Sequence, residues 1–321
     1  MPVKRMDDGI VAGGSPQVSP ELPAPGWRAV LAILRQLPQV GMSRAFGRIA
    51  DLRIPVPMRQ PILSSFARAV GIDLSETARP LADYESLDGF FVRALRDGVR
   101  SWPADPSVAG SPVDGIVGQV GCIERGRLLQ AKGRHYTAAR LLADEAEAAT
   151  FDGGAFLTLY LSPRHYHRVH APAAGSIPLA RHVPGALLPV NAAAVAHIED
   201  LFPRNERVLC YLDGPLGRIA VVAIGAYNVG RISAAFDPAW GDGGRIGNRG
   251  NAAAEPRPYD PPIQIRRGDE IMAFHLGSTV VVLFEPARAR LESALEPGAE
   301  IRMGEPIARP VPGGGGAVTT P

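Results

Sequence analysis

Between Pro103 and Phe284 the sequence breaks into short apolar runs separated by glycine and proline, and this texture restricts the fold more than any other feature. Ile116 to Ile123, Arg127 to Ala131, Ala155 to Leu161, Val208 to Leu212, Ile219 to Ile224 and Thr279 to Phe284 all have strand length. The last of these is dense in β-branched and apolar residues, which suit a buried sheet position. Runs of this kind, with few long helices between them, predict a mainly antiparallel β domain in an α+β chain. Thr137 to Ala149 and Asn191 to Asp200 are the exceptions and predict helices. Asp237 to Pro262, rich in glycine, asparagine and proline, predicts a loop. Its GDGGRIGNRG has backbone N–H groups to offer a phosphate, but lacks the strand-to-helix setting of a phosphate loop.

The region before the β domain reads differently. Residues 1–26, rich in Pro, Gly and Ser and without a basic start followed by an apolar core, predict a flexible tail. Trp27, Val30, Leu31, Leu34 and Leu37 recur at helical spacing until Pro38. Ser43 can cap a second short amphipathic helix carrying Phe46 and Ile49, and Pro61 to Ala69 predicts a third, closed by Gly71. Between Trp27 and Arg68 stand seven arginines against one acidic residue, Asp51, on segments too short to span a bilayer. An apolar face bearing Trp and Phe and flanked by Arg suits the headgroup boundary of an anionic membrane; a helical cap on the protein's own core is the competing reading. Tyr84 to Leu95 predicts a helical turn with Phe90, Phe91 and Leu95 available for packing. The expected organisation is therefore a tail over 1–26, a helical membrane-associating region over 27–100, a β-rich catalytic domain over 101–311 and a glycine-rich flexible tail over 312–321.

Composition narrows the chemistry. A net charge of +2 on 321 residues gives no global reason to expect nucleic acid. Cys122 and Cys210 are isolated, without the spacing of a disulfide framework or a thiolate metal knuckle. Lysine occurs only at Lys4 and Lys132, so chemistry that needs an enzyme lysine for a Schiff base is confined to one candidate outside the tail.

At the mouth of the last apolar run lies Leu276-Gly277-Ser278-Thr279. Glycine tolerates backbone conformations closed to other residues, so the Ser278 hydroxyl can approach the Gly277 carbonyl and attack its own chain. The resulting ester can eliminate and hydrolyse, cutting the chain and leaving an N-terminal pyruvoyl group; the plainer alternative is a turn that feeds a strand. Tyr160 to Pro172, YLSPRHYHRVHAP, carries His165, His167 and His170 within six residues. Three imidazoles can hold zinc, but no helical metal pattern accompanies them, and proton transfer by at least one is the stronger reading. Ser111-Pro112-Val113-Asp114-Gly115 sets a carboxylate in a tight turn. Asp, His and Ser are the residue types that orient an imidazole, remove a hydroxyl proton and attack a carbonyl.

SPVDG, AKGRHY (Ala131 to Tyr136), LSPRHYHRVHAP, LFPRNERV (Leu201 to Val208), IGAYNVG (Ile224 to Gly230) and GDEIMAFHLGSTVVVLF together resemble, in the same order, the bacterial phosphatidylserine decarboxylase proenzymes. The match runs from about Tyr84 to Phe284 and its specificity is collective. The resemblance implies self-cleavage between Gly277 and Ser278 into a β chain, 1–277, and an α chain, 278–321, that stay associated. It implies a self-cleavage triad of Asp114, His170 and Ser278, in which Asp114 holds the His170 ring. It implies a pyruvoyl group made from Ser278 that forms a Schiff base with the substrate, and proton transfer by His167 during decarboxylation. Neither pyridoxal phosphate nor a metal is expected. His165 stands where the family more often has Asp, which removes the basis for a three-histidine metal site, and Met272 stands where a glycine is expected. The implied substrate is phosphatidylserine in the bilayer, the implied product phosphatidylethanolamine, and the implied location the cytoplasmic side of the cell membrane as a peripheral protein, compatible with a homodimer and without nucleic acid. A serine hydrolase that keeps Ser278 intact lacks its G-x-S-x-G elbow here, and a non-enzymatic membrane-binding module leaves the Asp, His and Ser motifs unexplained.

Overall fold

The computed structural model describes residues 47–226, 231–241, 244–247, 253–275 and 278–312. The helix expected over Trp27 to Leu37, the Ser43 to Phe46 part of the second expected helix, the tail 1–26, the tail 312–321 except Pro312, and Leu276 and Gly277 lie outside the described residues, while residues 47–51, which include Ile49 of that second helix, are helical.

An eight-stranded, wholly antiparallel sheet forms the frame. From edge to edge it runs Glu255–Ile265, Gly175–Val183, Arg207–Gly214, Gly217–Ile224, Ser278–Phe284, Ala155–Leu161, Gly115–Cys122 and Glu300–Ile301. Ser278–Phe284 is central and buried at every position. Because successive strand residues face opposite ways, Val280, Val282 and Phe284 enter one core while Val281 and Leu283 enter another. Burying a valine or leucine contributes roughly 1.5 to 3 kcal/mol, so this strand is held from both faces. The first core is covered by two three-stranded sheets, one of Ile232–Ala234, Glu270–Phe274 and Arg168–His170, the other of Ala109–Gly110, Pro306–Pro310 and Ala289–Leu291. The second is covered by short helices, including Ala138–Leu142, Ala192–His197 and Leu201–Arg204.

The α+β expectation, with a mainly antiparallel β domain after helices, holds. The run Thr137 to Ala149 divides into two helices, Ala138–Leu142 and Glu145–Ala149, because Ala143 turns left-handed at φ 53° and the Asp144 side chain caps the second. The loop expected over Asp237 to Pro262 contains an edge strand, Glu255–Ile265, paired to Gly175–Val183 in spite of its four prolines. An edge position tolerates the missing N–H donors. Ahead of the β domain, the helix Val56–Val70 ends at Gly71 in the left-handed conformation, and Leu63 and Ala67 pack with Tyr84 and Phe90 in a third, smaller core. Ile49, Leu52, Val56, Met58 and Ile62 remain exposed.

Candidate active site

Strand register brings the sequence motifs to one end of the large sheet. Ser278 lies opposite Leu161, after which the histidine motif begins, and Ile116, two residues after Asp114, lies opposite Tyr160. A Cβ on Gly115 would come within 2.9 Å of the Tyr160 carbonyl oxygen, so this turn needs glycine to bring Asp114 that close. Thr279 lies opposite Ile224, where IGAYNVG starts, and Ile224 lies opposite Arg207 of the NERV motif.

Ser278 is 1 % exposed, and its Oγ has no hydrogen-bond partner among the described residues. Alternation along the strand puts it on the face of Val280 and Val282. A buried hydroxyl without a partner costs about 1 to 3 kcal/mol, an expense consistent with a reactive group.

His167 is fully buried, its ring 4.1 Å from that of Phe91. Its Nδ1 donates to the His165 carbonyl oxygen at 2.8 Å. Since a carbonyl can only accept, the neutral ring keeps its proton on Nδ1 and Nε2 is a lone-pair nitrogen, also without a partner. Burial, then the charge of Arg93, pushes the imidazole down to about 3. His170 donates from Nδ1 to the Gly268 carbonyl oxygen at 2.8 Å, and its Nε2 accepts from the Tyr166 hydroxyl at 3.1 Å. Burial lowers its proton affinity as well.

Asp114 does not hold the His170 ring, contrary to the expectation. Its carboxylate accepts Arg100 Nε at 2.9 Å, Arg100 Nη2 at 2.5 Å and the Met303 backbone N–H at 2.8 Å. Arg100 reaches on to Glu76 at 3.0 and 2.8 Å. The guanidinium, clamped between two carboxylates, has its proton affinity raised. The orienting role passes to the Gly268 carbonyl, while Asp114 acts on His170 only through its charge.

Three elements of the site were not anticipated. Tyr166 lies inside the histidine motif and closes on His170. Arg93, in a segment read as packing, is 3 % exposed. His275, three residues before Ser278, is pinned by Asp88 at 2.9 and 3.0 Å, with Ser233 Oγ 3.3 Å from its other nitrogen. Burial pushes the Asp88 carboxyl up, but His275, Arg231 and Arg245 together hold it below its ordinary value. Arg231 and Arg245 also bind Asp51, in the helical turn 47–51, which ties the amino-terminal region to the chain entering the Ser278 strand. Spacing alone could not signal a pair 187 residues apart. Among the described residues no group of three or more His, Cys, Asp or Glu is placed to hold a metal ion.

A sequence model of the phosphatidylserine decarboxylase family matches residues 87–309. The chain belongs to this family. It is similar to the phosphatidylserine decarboxylase proenzyme of Anaeromyxobacter sp. (strain K), 47 % identical over 280 residues, which cover 87 % of this chain and 98 % of the relative. The proenzyme of Myxococcus xanthus is 39 % identical over 277 residues, 86 % of this chain and 96 % of the relative. That of Azotobacter vinelandii is 40 % identical over 285 residues, 85 % and 95 %. The family is one of self-processing enzymes, and its match takes in Arg93, Arg100, Asp114, the histidine motif, His275 and Ser278 together.

Proposed function

We propose that this protein decarboxylates phosphatidylserine to phosphatidylethanolamine, in phospholipid biosynthesis, after cutting itself between Gly277 and Ser278. The observation that carries the reading is the buried, unpartnered Ser278 hydroxyl at the sheet end where Asp114, His167 and His170 arrive.

In the proenzyme the Ser278 hydroxyl attacks the Gly277 carbonyl and the peptide becomes an ester. His170 is the base for the hydroxyl proton: Gly268 fixes its tautomer so that Nε2 carries the lone pair, and the Tyr166 hydroxyl must move aside for that nitrogen to act. The buried charge of Asp114 favours the imidazolium that forms. Elimination then breaks the ester, leaves a carboxylate on Gly277, and hydrolysis with loss of ammonia completes a pyruvoyl group on the former Ser278. Ser278 fits that fate, being buried on the strand face that enters the apolar core and free of competing hydrogen bonds among the described residues. The pyruvoyl group supplies an electrophilic ketone that engages the substrate amine and takes up the electrons released with carbon dioxide.

Exchange of carbon dioxide for hydrogen consumes one proton overall. His167 is the carrier: its free Nε2 takes a proton shed by the substrate ammonium as the Schiff base forms and returns it to the carbon that has lost its carboxylate, and the product amine regains a proton from solvent on release, which is the one consumed. A ring whose cation is disfavoured gives up that proton readily.

The exposed Ile49, Leu52, Val56, Met58 and Ile62, interleaved with Arg48, Arg53 and Arg59, form the surface by which the protein docks peripherally on the cytoplasmic side of the cell membrane. Among the described residues no helix is long and apolar enough to cross a membrane. A denaturing gel with mass analysis tests the reading: wild-type protein yields a small chain starting at residue 278 with an N-terminal pyruvoyl mass and releases carbon dioxide from phosphatidylserine vesicles. An intact chain with a seryl residue at 278 and no carbon dioxide refutes it.

A further inference from the structure

Arg93 is a buried cation without an acceptor for most of its donors. Its Nη2 reaches the carbonyl oxygens of Arg164 and His165 at 3.3 and 3.4 Å, whereas Nε and Nη1 have no partner among the described residues. Three of the five N–H bonds of the guanidinium are therefore unsatisfied. Among the described residues no carboxylate forms an ion pair with it: Asp114 and Glu76, whose charges act on it from farther off, are engaged by Arg100, and Glu76 also lies 3.8 Å from Arg302. The helix Leu87–Phe91 places Arg93 just past its end, and the guanidinium lies 5.7 Å from the centre of the Phe90 ring. A buried charge left in this state is costly unless a ligand completes it.

Its position says which ligand. Arg93 shares the His165 carbonyl with His167, so cation and proton carrier stand side by side. We propose that Arg93 is the residue that binds the substrate's anionic headgroup, through the phosphodiester. The inference rests on the decarboxylase reading.

The substrate offers two anions, a carboxylate and a phosphodiester, and the reaction distinguishes them. A guanidinium on the carboxylate stabilises the group that must leave as neutral carbon dioxide, which strengthens the ground state over the transition state and slows the chemistry. The phosphodiester keeps its charge throughout. It is separated from the reacting carbon only by a methylene and an ester oxygen, so a pocket that brings that carbon to His167 brings the phosphodiester to the neighbour of His167. Arginine suits such an oxyanion better than lysine because its planar donors are fixed and weakly hydrated.

The test uses the full chain carrying Ser278→Ala, which needs no maturation, with and without Arg93→Lys or Arg93→Gln. Calorimetric titration with glycerophosphoethanolamine, a phosphodiester without a carboxylate, reads binding directly, and L-serine, a carboxylate without a phosphate, is the control. Both substitutions at Arg93 are expected to weaken glycerophosphoethanolamine at least tenfold and leave L-serine unchanged. In the processed enzyme Arg93→Lys is expected to raise KM for phosphatidylserine at least tenfold with kcat within threefold. Unchanged glycerophosphoethanolamine binding with both substitutions overturns the proposal, as does weakening confined to L-serine, which would assign Arg93 to the carboxylate. If Arg93→Gln does not fold, Arg93→Lys, which keeps the charge, decides alone. Failure of wild-type protein to release carbon dioxide refutes the decarboxylase reading and leaves the titration result standing.

Discussion

The Nδ1 of His167 and the Nη2 of Arg93 converge on one acceptor, the His165 carbonyl oxygen, at 2.8 and 3.4 Å. This shared contact fixes the tautomer of a buried imidazole next to a permanent positive charge. Both burial and that charge oppose protonation of the ring.

The first prediction follows from the sign of that effect. The His167 imidazole titrates near 6.5 in the unfolded chain and at about 3 in the folded one. Between those values the unfolded chain binds a proton that the folded chain refuses. Stability is therefore complete above 6.5 and falls as the pH drops toward 3, by up to about 1.4 kcal/mol per pH unit from this residue. His165 and His170, also lowered by burial, act in the same direction. Urea unfolding of the Ser278→Ala protein from pH 7 to 4, with and without His167→Gln, is expected to show a shallower pH slope in the double variant; equal slopes exclude the assignment.

Processing should separate His170 from its neighbour. Removal of a general base costs about 100-fold to 10,000-fold in rate, so His170→Ala should remain full length on a gel over the time in which wild-type protein is cut. Tyr166→Phe removes only the hydroxyl that covers Nε2, and processing is expected to stay within tenfold of wild type. Loss of cleavage in Tyr166→Phe with normal cleavage in His170→Ala would assign the base to the tyrosine.

Arg100 carries the other electrostatic arrangement. Its guanidinium neutralises Asp114 and Glu76 at side-chain exposures of 6 %, 8 % and 19 %, so Arg100→Ala leaves the buried Asp114 carboxylate without its cation and Glu76 with only Arg302 at 3.8 Å. Breaking a buried pair from one side costs about 3 to 5 kcal/mol. Denaturant midpoints in the Ser278→Ala background measure it, and a loss below about 1 kcal/mol contradicts the clamp.

At the membrane surface, Leu52→Asp with Val56→Asp places charge where two side chains are 64 % and 65 % exposed. Because neither packs on the core, folding and self-cleavage should be unaffected, while sedimentation with anionic vesicles falls several-fold. Vesicle binding equal to wild type would remove this patch from the interface.

Much of the framework was legible because strand length and apolar runs coincide. Arg127–Ala131 and Ala155–Leu161 have the expected limits, and the other anticipated strands differ by one or two residues at their ends. Gly175–Val183 was not legible because its GSIPLARHV mixes proline, arginine and histidine into a strand paired on both sides, which buries Arg181 and His182. At the site, residue types and motifs pointed to Asp114, His167, His170 and Ser278, and register explains why they arrive together. Their partners were not legible. Asp114 answers to Arg100 and to a backbone N–H 189 residues away, and the rings answer to the carbonyls of His165 and Gly268, which any residue would supply.

The central position of Ser278–Phe284, between Gly217–Ile224 and Ala155–Leu161, has a last consequence. A cut before Ser278 leaves the middle strand of the sheet as the first segment of a separate polypeptide, whose later residues Glu300–Ile301 and Pro306–Pro310 also pair with the larger chain. Before the cut, folding is unimolecular; after it, recovery from denaturant requires two molecules to meet, so it slows with dilution. On the proposed cleavage, refolding of the proenzyme is independent of dilution whereas that of the processed enzyme is not.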